Sequence, residues 1–248
     1  MLDYKIKLIN ECNIDIFYKI YELYCIYNED RTEKDFLNEL LIEKFYTNII
    51  IIYNKKDIVG YSLIKIIEEE KYIIYILAEC VLLEKYVGNS IIMLSNSTLM
   101  KKIYRKDKTF YIFGLCNTIY SYLMSNNFGE HYPNMNYNSI PKKFEEAYIQ
   151  SIKLYTDNIY NKKDDLNLIL KYKDNFGRVK KKYAEIRKNF KKTKQIDYFL
   201  NLNSDYLNGD CLFTIGIVDI KDINYIIRKN NKNSRIGVII NHFVSIFV

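Results

Sequence analysis

Apolar positions recur along this chain first at a helical spacing, then at a strand spacing, then in a mixture of the two. Residues 3–9 read as a short strand. In residues 13–28, Ile14, Phe17, Ile20, Tyr21, Tyr24 and Cys25 fall on one helical stripe. In residues 32–46, Phe36, Leu40, Leu41 and Phe45 do the same, so two helices are predicted. The stretch NIIIIYNKKDIVGYSLIKIIEEEKYIIYILAECVLL is β-branched and aromatic, and it is cut at Lys55-Lys56-Asp57 and at Glu68-Glu69-Glu70. Three strands joined by hairpins fit it. A turn at Gly88, a helix over 89–104, a strand over 109–117 and a helix over 118–126 follow. Residues 129–140 are turn-rich, and from Pro141 the period is helical for about sixty residues. Asn208-Gly209 is a turn signal, CLFTIGIV (211–218) reads as a strand, a short helix fits 219–229, and the last residues, SRIGVIINHFVSIFV, are strand-like without a clear division. The class is α/β (α+β).

Composition narrows this picture. A chain of 248 residues holds one large domain, or a smaller one with a substantial addition. Hydrophobic residues make up 49%, which allows a packed core and excludes global disorder. Ile, Asn, Lys and Tyr dominate, as an AT-rich genome would produce, so the 25 tyrosines are not taken as a stacking signal. No run of about 18 apolar residues predicts a spanning helix. The opening MLDYKIKLINEC is strand-like, not a leader, so a cytoplasmic protein is expected. Cys12, Cys25, Cys80, Cys116 and Cys211 are scattered and form no C-x-x-C pair, which predicts reduced, mostly buried thiols. His131 and His242 show no metal-ligand spacing, and no metal is expected.

Charge is localised. Nine of the 37 Lys/Arg and one of the 30 Asp/Glu lie between Arg178 and Lys194, so this segment owns the net charge of +7. Val179, Tyr183, Ile186 and Phe190 recur there at spacings of four, three and four, which predicts a basic amphipathic helix over 178–194. Its lysines are either a solvated face or a docking surface for an acidic partner: acyl carrier protein, tRNA or another nucleic acid, or an anionic membrane surface.

Candidate chemistry centres on one strand and the turn after it. The run YIIYILAECVLL (Tyr72 to Leu83) carries a single charge, Glu79, and leads through EKYVGNS into a helix. Backbone N–H groups at a helix N-terminus are unpaired and, with the helix dipole, form an anion site; a glycine lets the chain approach a phosphate closely. The plainer alternatives are an ordinary glycine turn and a glutamate on an exposed face or paired to a lysine.

Strand, helix, helix, three strands, glycine turn, helix, strand, helix is an order that resembles the GNAT N-acyltransferase fold, over roughly residues 3–128. The family's central motif, V-x-x-x-[YF]-R-G-x-[GA], aligns with Leu82 to Ser90: Tyr86 and Gly88 are kept, Val87 stands in place of the arginine and Ser90 in place of the second small residue. YIFGLCNTIYSYLMSNNFGE resembles the second motif, N-x-x-A-x-x-[LF]-Y-e-k-x-G-F, with Asn117 and Phe128 matching its ends at an interval one residue short. The resemblance implies a mixed, mostly antiparallel central sheet flanked by helices. It implies that Val87, Gly88, Asn89, Ser90 and Ile91 cradle the diphosphate of acetyl-CoA or another acyl-CoA. It implies that backbone groups near Val81 and Leu82 pair with the pantetheine arm and that Asn117 touches the cofactor. Glu79, three residues before Leu82, stands where the family commonly places an acid, and a carboxylate in an apolar strand has its pKa raised, as a general base requires. The family's tyrosine acid falls out of register, on Leu123 or Met124; Tyr120 and Tyr122 are its candidates here, with core packing as their alternative role.

The expected function is transfer of an acyl group to an amine acceptor. The alternatives are an acyl carrier protein as donor, and a non-catalytic module binding an acidic partner. The expected organisation is an acyl-CoA-binding core over 1–140, a helical insertion or extension over 141–205, and terminal strands or a small subdomain over 206–248.

Overall fold

The computed structural model describes residues 2–41, 45–88, 90–125, 129–156, 169–171, 177–185 and 193–235. In chain order the elements are β1 (Leu2–Leu8), α1 (Ile14–Tyr27), β2 (Asn28–Glu29), α2 (Glu33–Leu41), β3 (Asn48–Asn54), β4 (Asp57–Glu68), β5 (Tyr72–Leu82), α3 (Ile91–Ile103), β6 (Thr109–Cys116), α4 (Ile119–Ser125) and β7 (Glu130–Tyr132). They continue with α5 (Lys142–Thr156), β8 (Ile169–Leu170), β9 (Arg178–Val179), α6 (Lys181–Ala184), α7 (Lys194–Leu202), β10 (Cys211–Ile217) and α8 (Ile220–Arg235).

One mixed, mostly antiparallel sheet runs β1-β3-β4-β5-β6-β10-β7, and β8 adds to β10. Among the described strands only β5 and β6 are parallel neighbours, and α3 is the crossover between them. Helices cover both faces, because the central strands are apolar on both sides. On one face α1, α2 and α7 pack Phe17, Phe36 and Phe199 toward Tyr61, Leu63 and Val81 of the sheet, and α5 lays Phe144 and Tyr148 on Ile74, Phe113 and Phe213. On the other face α3 and α8 pack Leu99, Met100, Ile223 and Ile226 on Ile50, Ile64, Tyr75 and Phe110. Asn13 caps α1, its side chain accepting from Ile16 N–H at 3.2 Å, and Thr193 does the same for α7. Among the described residues no helix is long and apolar enough to cross a membrane, and no group of His, Cys, Asp and Glu is arranged to hold a metal.

The hairpins, the glycine turn and the flanking helices lie where the pattern placed them, to within a few residues. The second predicted helix is shorter than expected: α2 is described over Glu33–Leu41, residues 42–44 lie outside the described residues, and Phe45 and Tyr46 are not helical. The long helical stretch after Pro141 is interrupted by β8 and β9. The strand-like residues 236–248, His242 among them, lie outside the described residues. The predicted basic helix over 178–194 is corrected. Arg178–Val179 is a strand paired to Asn28–Glu29, the one-turn α6 follows, and Glu185 is already extended; Ile186 and Phe190 lie outside the described residues. The start of the basic run is fastened to α1. The Arg178 guanidinium meets Asp30 at 2.7 Å and Glu29 at 3.0 Å, and Lys180 Nζ donates to the Cys25 carbonyl at 2.6 Å at the helix C-terminus, where a cation is favoured. Val179 and Tyr183 mimicked a helical stripe because both point inward, one from a strand and the other from α6, against the Tyr27 ring at 4.8 Å.

Candidate active site

The site begins with a bulge. Leu63 of β4 faces Glu79 and Ile64 faces Leu77, so Ala78 is an extra residue in β5. A bulge bends its strand and reverses the alternation of side chains beyond it. Ile73 and Tyr75 face α3 and α8, yet Glu79 and Val81 face α1 and α2, while Cys80 and Leu82 take the α3 side. The same bend opens the sheet. β5 pairs with β6 from Tyr72↔Thr109 to Leu77↔Gly114 and no further, so the two strands diverge just ahead of Glu79. A cleft open to solvent fills the fork; Ala78, Glu79 and Cys80 line one wall, Gly114, Leu115 and Cys116 the other, and Ser121, Met124 and Ser125 of α4 lie across it.

The free edge of β5 beyond the fork offers peptide groups. Leu83 N–H donates to the Val59 carbonyl at 2.9 Å, so by alternation residues 79, 81 and 83 aim their peptide groups at β4, and Cys80 and Leu82 aim theirs into the fork. This revises the predicted pairing at Val81: its backbone belongs to the β4 ladder and its side chain is fully buried. Leu82 faces the fork, but its carbonyl already accepts from the Tyr27 hydroxyl at 2.9 Å.

Glu79 is held in a buried charged cluster. Tyr61, from β4, donates to its Oε1, and Arg31, in the turn between β2 and α2, lies 4.0 Å from its Oε2. Arg31 also pairs with Glu39, which accepts from Tyr46, and its guanidinium packs 5.0 Å from the Phe36 ring and 5.8 Å from that of Tyr24. The Arg31 side chain is 6% exposed and that of Glu79 12%. Burial pushes the Glu79 carboxyl up; Arg31, and then the Tyr61 hydrogen bond, pull the other way. Burial and the adjacent carboxylate drive the Tyr61 hydroxyl well up, so it is a donor throughout the neutral range.

At the outer end of the fork, the turn into α3 is left-handed at Gly88 (φ 98°) and again at Ser90 (φ 61°). A Cβ at Gly88 would meet nothing within 4 Å, so space lies open beside the turn. The first donor bonded within α3 is Leu94 N–H, to Ser90, and Ser90 provides no side-chain cap, so the N–H groups of Ile92 and Met93 have no earlier helical carbonyl to bond. Val87 is half-buried beside Gly88 and Ile91 is buried at the start of the helix; Asn89, and Phe128 of the second motif, lie outside the described residues. Asn117, directly after β6, buries a side-chain oxygen that has no hydrogen-bond partner.

The fork thus brings Glu79, Leu82 and the Gly88 turn to one strand end. It does not bring the tyrosines. Tyr120 and Tyr122 point from α4 into the core, Tyr122 against the Phe199 ring at 5.4 Å, and the face of α4 toward the cleft carries Ser121, Met124 and Ser125. Arg31, Tyr61 and Tyr27 were not singled out by the sequence. Arg31 sits in NEDRTEKD, which reads as surface, and only Tyr61 left a trace, two residues from the cross-strand partner of Glu79 and on the same face.

No family model matches the chain, and no characterised protein matches it by sequence. Solved structures that resemble it include an aminoglycoside acetyltransferase from an uncultured soil metagenomic sample, in complex with sisomicin (10% identity, 69% of this chain and 97% of that one, TM-score 0.38). The NatC complex bound to Gag peptide and CoA is another (13%, 88% and 99%, TM-score 0.39). A third is Arabidopsis thaliana Naa50 with a bisubstrate analogue (10%, 86% and 97%, TM-score 0.36). Likeness at this level says nothing about chemistry. The strand order, the single parallel pair and its divergence after a bulge carry the GNAT-like fold by themselves.

Proposed function

We propose that this protein is an N-acyltransferase that moves an acyl group from coenzyme A to an amine by direct attack. The observation that carries this reading is the fork: a buried carboxylate at its inner end, an open strand edge along it and a left-handed glycine turn at a helix N-terminus at its outer end. The Gly88 turn and the first N–H groups of α3 would hold the diphosphate. The free peptide groups of Cys80 and the Leu82 N–H would pair with the amide-bearing arm as a neighbouring strand would, and the orphaned Asn117 oxygen would accept from it. The thioester supplies an activated carbonyl carbon. The amine nitrogen bonds to that carbon, the carbon–sulfur bond breaks, Glu79 takes the proton from nitrogen directly or through a water, and the thiolate leaves. Glu79 faces α1 and α2, so the amine enters from that side.

The test is thermal stability of the full chain with and without free CoA and acetyl-CoA. A ligand that binds only the native state at a hundred times its Kd adds about 2.7 kcal/mol, so a clear upward shift is expected. Gly88→Glu should remove the shift, because it puts a strained, like-charged side chain in the cradle. Normal CoA binding by that variant would refute the cradle. No shift in the wild-type chain would refute the acyl-CoA reading and leave a non-catalytic module or a carrier-protein donor, with polyanion binding at Arg178–Lys194 as the next assay.

A further inference from the structure

The cleft does not stop at the fork. Strand pairing ends at Leu77↔Gly114, yet Ile112 and Gly216, which face each other on β6 and β10, also line it. They lie two residues deeper along the strands, about 7 Å at the rise of a β-strand. Between them and the fork the floor has no side chain at Gly114 or Gly216 and only a short one at Thr214, and Met124 and Ser125 form the roof.

The hydroxyl groups here are already bonded. Thr214 donates to the Gly114 carbonyl at 3.3 Å, Ser121 to the Thr118 carbonyl at 2.8 Å and Ser125 to the Tyr122 carbonyl at 2.7 Å. With their protons committed to backbone carbonyls, these hydroxyls offer the space no free donor. Ile112, Leu77 and Met124, which line this extension, belong to the α3–α8 face of the sheet, opposite the α1–α2 face that the Glu79 side chain takes.

We propose that this inner extension is an acyl pocket, and that the donor carries a medium-length apolar acyl chain of about hexanoyl length, not acetyl. The inference rests on the acyl-CoA reading. Three directions then meet at the fork: the amine from Glu79, the cofactor arm outward along β5, and the acyl chain inward beneath α4.

The experiment measures affinity and thermal shift for free CoA and for acetyl-, butyryl-, hexanoyl- and octanoyl-CoA, in the wild-type chain and in Gly216→Val. Each buried methylene should tighten binding about fourfold until the pocket is full. Gly216 is in a strand without positive φ, so valine fits its backbone; this variant should lose the gain beyond acetyl. Should Gly216→Val fail to fold, Ser125→Leu fills the same space from the roof. Affinities that are flat from acetyl to octanoyl while CoA still binds would overturn the pocket and spare the acyl-CoA reading. So would an undiminished chain-length gain in a folded variant. No binding of CoA or of any thioester would overturn the acyl-CoA reading itself.

Discussion

Two buried polar clusters flank the bulge, one on each face of β4 and β5, and they are built differently. On the α3 side, Tyr75 donates to Asn96 at 2.7 Å, Asn96 donates to Ser62 at 3.1 Å and to the Ile92 carbonyl at 2.9 Å, and the Cys80 thiol reaches Ser62 at 3.1 Å. These groups are neutral; burial pushes the Cys80 thiol up to about 12, so it stays protonated. On the α1–α2 side stand two carboxylates and one guanidinium. A neutral, bonded network fixes α3 against the sheet at little risk, whereas a buried charge trio costs desolvation that its internal pairing only partly returns. Stability alone does not call for the second arrangement. Under the proposed function, it would keep a proton acceptor with a raised pKa at the rim of the cleft.

Changing the carboxylate itself should produce the largest effect. Glu79→Gln keeps the size and the Tyr61 contact but cannot accept a proton, so turnover should fall about 10²–10⁴-fold with CoA affinity retained. Its acidic limb in the pH–rate profile should vanish, and an unchanged profile would remove Glu79 from the chemistry. Arg31→Met comes next. It leaves Glu39 and Glu79 buried without a counter-charge and should cost about 3–5 kcal/mol at neutral pH by urea denaturation. The sign of the pH dependence follows from the raised carboxyl: a group that holds its proton more tightly when folded stabilises below its unfolded pKa and loses that stability as pH rises through the folded value. Removing Arg31 raises Glu79 further, so the deficit should shrink as pH is lowered. A deficit equal at all pH values would contradict the charge account.

On the neutral side, Asn96→Leu should cost about 1–3 kcal/mol by stranding Tyr75 and Ser62, with no pH dependence between about 5 and 8, a window that lies below the ordinary tyrosine range. The smallest effect is expected from Tyr61→Phe. Losing that hydrogen bond should cost about 0.5–1.5 kcal/mol and move the acidic limb of turnover to higher pH, since the bond holds the Glu79 carboxyl down. A limb that stays in place would show that Tyr61 is packing only.

The contrast between the clusters also explains what the sequence disclosed. Glu79 was conspicuous because it is the one charge in an apolar run, and Gly88 because it interrupts the passage from strand to helix. The bulge was invisible, since Ala78 is as apolar as its neighbours and only the pairing register reveals that it is surplus. Arg31 was hidden for the opposite reason: six of the eight residues in NEDRTEKD are charged and the other two polar, a composition that suits water, and tertiary packing alone buries the arginine. Tyr120 and Tyr122 attracted attention through chemistry that their helix face does not offer, and the basic run looked helical because a strand and a single turn of helix both turned an apolar residue inward.

The position of β10 bears on how the chain comes to be folded. Cys116 and Thr214 touch across adjacent strands although 98 residues separate them. Closing so long a loop is slow, and until it closes β6 presents an unpaired edge to any other chain nearby. Thr214 and Gly216 also belong to the cleft wall, so the cleft exists only after this late pairing is made. Ligand affinity during refolding therefore becomes a clock: it should appear with the slowest phase, behind the hairpins of β3, β4 and β5, which are local and assemble first.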